Sequence, residues 1–248
     1  MHPGVCPACG IAYAKWPARE RGGPRPVGDT EAPDPGEAPD SPARPPPDEA
    51  EPALARLRAQ LAWIPEDADA PGLWWRVALI VALAGWTLRF ASHGLSWEHI
   101  GGSFLHGVNL AFHEFGHIAF RPFGEFLTIL GGSLFQVLLP LALSGYFLLW
   151  RQDTVSAAVA LWWCGQNFLD IAPYIADAEY RALPLVGGGG EESHDWGNLL
   201  TMLDAIDTAP SLARTSFGLG MALMLIALAW ATWLLWRWWR ALSERRLR

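Results

Sequence analysis

Lysine is almost missing from this chain: Lys15 is the one lysine among 18 basic residues, set against 25 acidic ones, for a formal net charge of −7 over 248 residues. No segment presents the broad cationic surface that a nucleic-acid backbone demands, which excludes a nucleic-acid binder. Cysteine is scarce too, with three residues, two of them (Cys6 and Cys9) in one tight pair. A disulfide-stapled secreted domain needs more. The first residues also lack the basic and apolar regions of a signal peptide.

What the chain has instead is hydrophobic length at one end and proline at the other. Residues 1–72 hold 15 of the 20 prolines, with 12 acidic and 7 basic residues; residues 73–248 are dominated by long apolar runs rich in tryptophan. Within residues 1–16, Cys6-Pro7-Ala8-Cys9-Gly10 is a CxxC knuckle, the turn that brings two thiolates to one zinc ion. The stretch CPACGIAYAKW resembles half of a zinc ribbon. No second CxxC follows, and Cys164 lies far away in an apolar segment, so a degenerate or shared knuckle without catalytic role is expected. Residues 17–72 read as a disordered acidic, proline-rich tether that cannot bury enough apolar surface to order itself. A short amphipathic helix at 53–64 (ALARLRAQLAWI) would suit the membrane surface.

Five segments approach the about 20 apolar residues needed to cross a bilayer: 73–91, 102–120, 126–150, 154–176 and 211–236. The expected fold is therefore all-α. It is a polytopic membrane bundle of about five transmembrane helices over residues 73–240, followed by a basic tail at 241–248. Trp236-Arg237-Trp238-Trp239-Arg240 reads as an aromatic belt running into that tail, which argues for a cytoplasmic C-terminus. Five crossings would then put the N-terminus outside, whereas Lys15, Arg19, Arg21 and Arg25 argue for inside. One of these votes is wrong, or one segment does not cross. Residues 194–207 are too charged for a simple span and suit a re-entrant or interfacial segment. The arginine-rich, lysine-poor composition looks like a GC-rich bacterial genome, which points to a bacterial inner membrane.

Within the second apolar segment, His113-Glu114-Phe115-Gly116-His117 is an HExxH motif. Four residues apart on a helix, the two imidazoles project from one face and can hold one metal. Glu114 can take the proton of the attacking water, whose pKa zinc lowers to about 7. Ionisable residues inside a membrane span are expensive and mark a site or a partner. His106 and Asn109 share the same face. Packing against other helices is the plain alternative, yet it does not call for a glutamate between two histidines. A catalytic zinc also takes a third protein ligand. The fourth segment offers Asn167, Asp170, Tyr174 and Asp177 at helical spacing, and Pro173 is expected to bend or break the helix near Asp177.

An HExxH inside a transmembrane helix, with Asn-then-Asp on a later one, resembles the site-2 protease family of intramembrane zinc metalloproteases. The resemblance implies a metalloendopeptidase that hydrolyses peptide bonds in or near transmembrane segments of membrane proteins. It implies Zn2+ held by His113, His117 and Asp177, Glu114 as general base, and Asn167 helping to hold the substrate or the developing oxyanion. Gly131-Gly132-Ser133-Leu134-Phe135-Gln136 also looks like the small-residue motif that opens the family's middle core helix. The likeness covers about residues 100–180.

The chain departs from the family pattern in its third motif, which reads Ala176-Asp177-Ala178 rather than Leu-Asp-Gly, with Asn167 ten residues before the aspartate instead of eight. Asp170 is therefore a rival ligand. His194-Asp195-Trp196, after the Gly187–Gly190 run, adds two more candidates, although a helix N-cap following a loop is the plainer reading there. The glycines would suit a mobile gate. Two other readings stay open. One is a membrane zincin with Glu179 as third ligand; the other is a non-catalytic membrane scaffold, or metal-binding membrane protein, that keeps the zinc site. The expected partners are the lipid bilayer and a substrate carrying a transmembrane segment.

Overall fold

A computed structural model of the chain describes residues 53–65, 69–184 and 193–246. The CxxC knuckle, most of the proline-rich region and the Gly187–Gly190 run lie outside the described residues. Every regular element among the described residues is a helix: α1 (Ala53–Leu61), α2 (Ala70–His93), α3 (Trp97–Gly101), α4 (Phe104–Phe120), α5 (Glu125–Tyr146), α6 (Thr154–Ala176), α7 (Asp195–Met202) and α8 (Ala209–Arg246).

Local chemistry sets the helix ends. Asp69 caps α2 by accepting from the Gly72 amide at 2.9 Å, with Pro71 in the first turn where no amide is needed. Ser103 caps α4, and Asp153 caps α6 through the amide and hydroxyl of Ser156. Gly124 enters α5 at φ 94°, a backbone region that side chains disfavour. At its far end α5 widens into a π-turn over Phe147–Arg151. Helix α6 tolerates Pro173 and stops at Ala176.

Three helical stretches are long and apolar enough to cross a membrane: Ala70–His93, Glu125–Arg151 and Ile206–Arg245. That fits an integral membrane protein. Of the five expected spans, 102–120 and 154–176 fall outside this set; they form α4 and α6, which bury Asn109, His113, Gln166, Asn167 and Asp170. Polarity is arranged inside out. Asn109, His113, Gln136, Gln166, Asn167 and Asp170 are buried, while Val81, Leu88, Ile118 and Ile226 face outward, as hydrocarbon surroundings require.

Neighbouring long helices run antiparallel. Helices α6 and α8 meet where Gly165 and Gly220 allow backbone contact: a Cβ on Gly165 would lie 2.7 Å from the Gly220 carbonyl oxygen. Ser216 Oγ also donates to the Phe168 carbonyl at 2.8 Å. Ser144, late in α5, donates to Ala157, early in α6. Arg76, early in α2, lies over the ring of Trp238, late in α8, at 4.8 Å. The bundle therefore has two distinct ends. At one end the carbonyls closing α1 are gripped by α8 and α6: Leu61 accepts from Trp230, Ala62 from Arg237, and Trp63 from Thr154. At the other, Ala178, Leu200 and Ala209 pack together, joining the end of α6 to α7 and the start of α8.

Helix α4 does not run the full length. Phe104 in its first turn borders Ala82, Gly85 and Trp86 in the middle of α2, while His117 in its last turn reaches Thr128 in the first turn of α5. The chain leaves α2 at the α7 end, dips to mid-bundle through the short α3, and climbs back along α4.

Candidate metal centre

Glycine brings α4 against α5. A Cβ on Gly131 would lie 2.8 Å from the Gly116 carbonyl oxygen, and a Cβ on Gly132 would lie 2.6 Å from Nε2 of both His113 and His117. The two imidazoles thus sit over a bare stretch of α5 backbone. Each Nδ1 is committed. That of His113 donates to Gln136 Oε1 at 3.1 Å, and that of His117 to the Thr128 carbonyl at 2.8 Å. With Nδ1 carrying the proton, both Nε2 lone pairs turn to the same side.

The third group there is Asp195, in the first turn of α7. Its Oδ2 lies 2.9 Å from His113 Nε2 and 3.3 Å from His117 Nε2, and the three donor atoms lie within 4.8 Å of one another. Burial alone would push the Asp195 carboxyl up, but a proton on the facing imidazole nitrogens, donated to it when no cation is there, outweighs that and holds it below the usual carboxylate range. Two ring nitrogens whose other protons are already donated, facing a carboxylate, need a proton or a cation between them. The residues fit a metal: two imidazoles and a carboxylate are a catalytic zinc donor set, and the space above Gly132 is one that a single methyl group would occupy.

A supporting layer holds these donors. Gln136 passes the His113 contact on, its Nε2 donating to Asp170 Oδ2 at 2.8 Å. Asp170 Oδ1 accepts from His106 Nδ1 at 3.1 Å. The Tyr174 hydroxyl accepts from the Asp195 backbone amide at 2.8 Å, and Trp196 Nε1 donates to Ser133 Oγ at 3.1 Å. His194 caps α7, its Nδ1 accepting from the Gly197 amide at 3.0 Å. Its Nε2 lies 3.3 Å from Asp177 Oδ2. Burial lowers the His194 pKa despite that neighbouring carboxylate.

A cavity of about 320 Å³ opens over the donors, lined by His106, Glu114, Gln136, Asp170, Tyr174 and Asp195 among others. Glu114 shares it with both histidines, so the HExxH residues and the Asp170 branch face one space.

The sequence-expected residues divide. His113, His117 and Glu114 come together; Asp177 does not join them. Because α6 ends at Ala176, Asp177 is its C-cap, accepting from the Leu183 amide at 2.8 Å and facing His194. Asp195 takes the place the resemblance gave to Asp177. Asn167 is buried with Nδ2 donating to the Trp163 carbonyl and does not line the cavity. Asp170 stands behind Gln136 as a supporting group. Glu179 is exposed and outside the cavity. Asn109 pairs with Gln166 and Trp163, away from the donors. Within the glycine-containing stretch, Gly132 and Gln136 contact the site directly. The cap expected at His194 is present, and the residue after it is the one the donor set lacked. Comparison with protein-family models, curated proteins and solved structures gave no match to this chain.

Proposed function

We propose that the chain is an intramembrane zinc metalloendopeptidase that hydrolyses peptide bonds in or near transmembrane segments of membrane proteins. The observation that carries this reading is the convergence of His113 Nε2, His117 Nε2 and Asp195 Oδ2 in a cavity that also contains Glu114. In this reading α4 and α6 lie within the bilayer with the three long apolar helices, and the lipid bilayer is the chain's standing partner. The membrane is a bacterial inner membrane, in keeping with the arginine-rich composition.

His113, His117 and Asp195 would hold the zinc, which when bound supplies Lewis acidity toward a scissile carbonyl. Gln136 and the Thr128 carbonyl fix both imidazoles in the tautomer that offers Nε2. Glu114 accepts a proton from the attacking water and passes it to the leaving amine as the C–N bond breaks; the proton left on the new carboxyl group then goes to the amine, giving carboxylate and ammonium. Leu110 and Ile171 give the cavity an apolar wall against which a substrate side chain can pack. A helical substrate shields its own carbonyls, so the bond to be cut must lie in a locally unwound stretch.

The test is Glu114→Gln. The variant keeps zinc, because the residue is not a ligand, and loses cleavage. Mapping new N-termini in membrane proteins of cells expressing either form reads this directly. Cleavage by Glu114→Gln at the wild-type rate would remove the general base from the scheme.

A further inference from the structure

The two ends of the bundle differ in charge. Among the described residues, the α1 end carries Arg56, Arg58, Arg76, Arg151, Arg237, Arg240 and Arg245, with Asp69, Asp153 and Glu244. The α7 end carries Arg89, Arg121, Arg181 and Arg214 among Glu98, Glu125, Asp177, Glu179, Asp195, Asp204 and Asp207. Exposed tryptophans gather at the α1 end: Trp74, Trp75, Trp150, Trp236 and Trp239, the position of an aromatic belt. Arginine retained near the ends of spans marks the cytoplasmic side, and carboxylates count for little in that rule.

Helices α2, α5, α6 and α8 alternate in direction, and α4 returns to the end from which α3 descended. Four traverses bring α1 and the last turns of α8 to the same end, where Trp230 and Arg237 hold the α1 carbonyls. The arginines before α2 and those at the end of α8 therefore favour the same orientation. The cavity lies toward the opposite end, where Pro184 and Ser193, both exposed, are among its lining residues.

We propose that the metal-centre cavity opens on the extracytoplasmic face of the membrane, and that its substrates are polypeptide segments presented at the outer membrane–water boundary. The substrate clause rests on the peptidase reading; the orientation does not. An outward mouth admits water directly from the outer aqueous phase, and the zinc it takes comes from that compartment.

Single cysteines test the orientation in the full chain carrying Cys6→Ser and Cys9→Ser, with the buried Cys164 retained. Ser193→Cys and Thr208→Cys report the α7 end, and Glu244→Cys reports the α1 end. Spheroplasts are treated with a membrane-impermeant maleimide before and after permeabilisation. The expected result is full labelling of Ser193→Cys and Thr208→Cys in intact spheroplasts, and labelling of Glu244→Cys only after permeabilisation. Two reporters at the α7 end guard against one variant failing to fold. The reverse pattern, or labelling of both ends from one side, overturns the proposal. Glu114-dependent cleavage is scored on the same membranes. If it is absent while the labelling is as expected, the orientation stands and the peptidase reading falls. If it is present with reversed labelling, the orientation alone falls.

Discussion

Replacing Gln136 by leucine tests whether the cavity is a metal centre or a polar packing face. Gln136 joins His113 Nδ1, at 3.1 Å, to Asp170 Oδ2, at 2.8 Å. Leucine keeps the bulk and removes both contacts, freeing the His113 ring to turn and to change tautomer. Loss of such a supporting partner typically weakens metal binding about 10–100-fold, equivalent to roughly 1.4–2.7 kcal/mol. Folding stability falls separately, by about 1–3 kcal/mol, because buried polar groups lose a partner; Asp170 retains His106. Gln136→Glu separates the two effects. It still accepts from His113, so zinc affinity falls less, but it sets a second carboxylate against Asp170, so stability falls more. Competition with a chromogenic zinc chelator on detergent-solubilised protein gives the affinity, and thermal unfolding gives the stability. Unchanged zinc affinity in a folded Gln136→Leu protein would refute the supporting role, and with it the idea that His113 is oriented for a metal.

Three further outcomes are expected. Asp195→Asn loses stoichiometric zinc while Asp177→Asn keeps it, read by metal analysis of the purified variants; the opposite result would return the third-ligand role to α6. Gly132→Ala places a methyl group 2.6 Å from both Nε2 atoms, closer than van der Waals contact allows, so zinc is lost even though no ligand has been altered. His194→Ala removes the α7 cap, at a cost of roughly 0.5–2 kcal/mol, and weakens zinc binding by loosening Asp195. Because the folded His194 pKa lies below the unfolded value of about 6.5, the unfolded chain binds the extra proton first. Stability is then full above pH about 6.5 and declines as pH falls below it. Unfolding midpoints of wild type and His194→Ala between pH 5 and 8 check the sign.

Helix positions were largely legible from hydrophobic runs, since spans expected at 126–150 and 154–176 correspond to Glu125–Arg151 and Thr154–Ala176. The last span, expected at 211–236, lies inside a longer helix: α8 runs on through Trp236, Arg237, Trp238, Trp239 and Arg240 to Arg246. The HExxH face was legible for a local reason: one helical turn fixes where His113 and His117 project. Asp195 was not, because its place depends on how α7 packs on α5 and α6, and no spacing rule spans two elements. The helical stripe offered Asp170 and Asp177 alike and the family resemblance selected Asp177, but α6 ends one residue earlier, at Ala176. The available signal was a carboxylate immediately after an N-cap, at the head of a short helix following a glycine run. Asn167 misled for the opposite reason. It lies on an inward face, as its spacing suggested, yet that face is packed against protein and not against the cavity.

The shortness of α4 has a consequence for how its histidines are held. Below its first turn, Leu105 borders an apolar slot walled by Trp75, Leu79, Leu143, Phe147 and Val159. Water gains few hydrogen bonds among such walls. The lower half of a full-length helix would pass through this slot, and α4 begins above it at Phe104. The helix bearing HExxH is thus held by its close glycine contacts to α5 and not by a seat beneath its first turn, so the placement of His113 and His117 depends on that one seam.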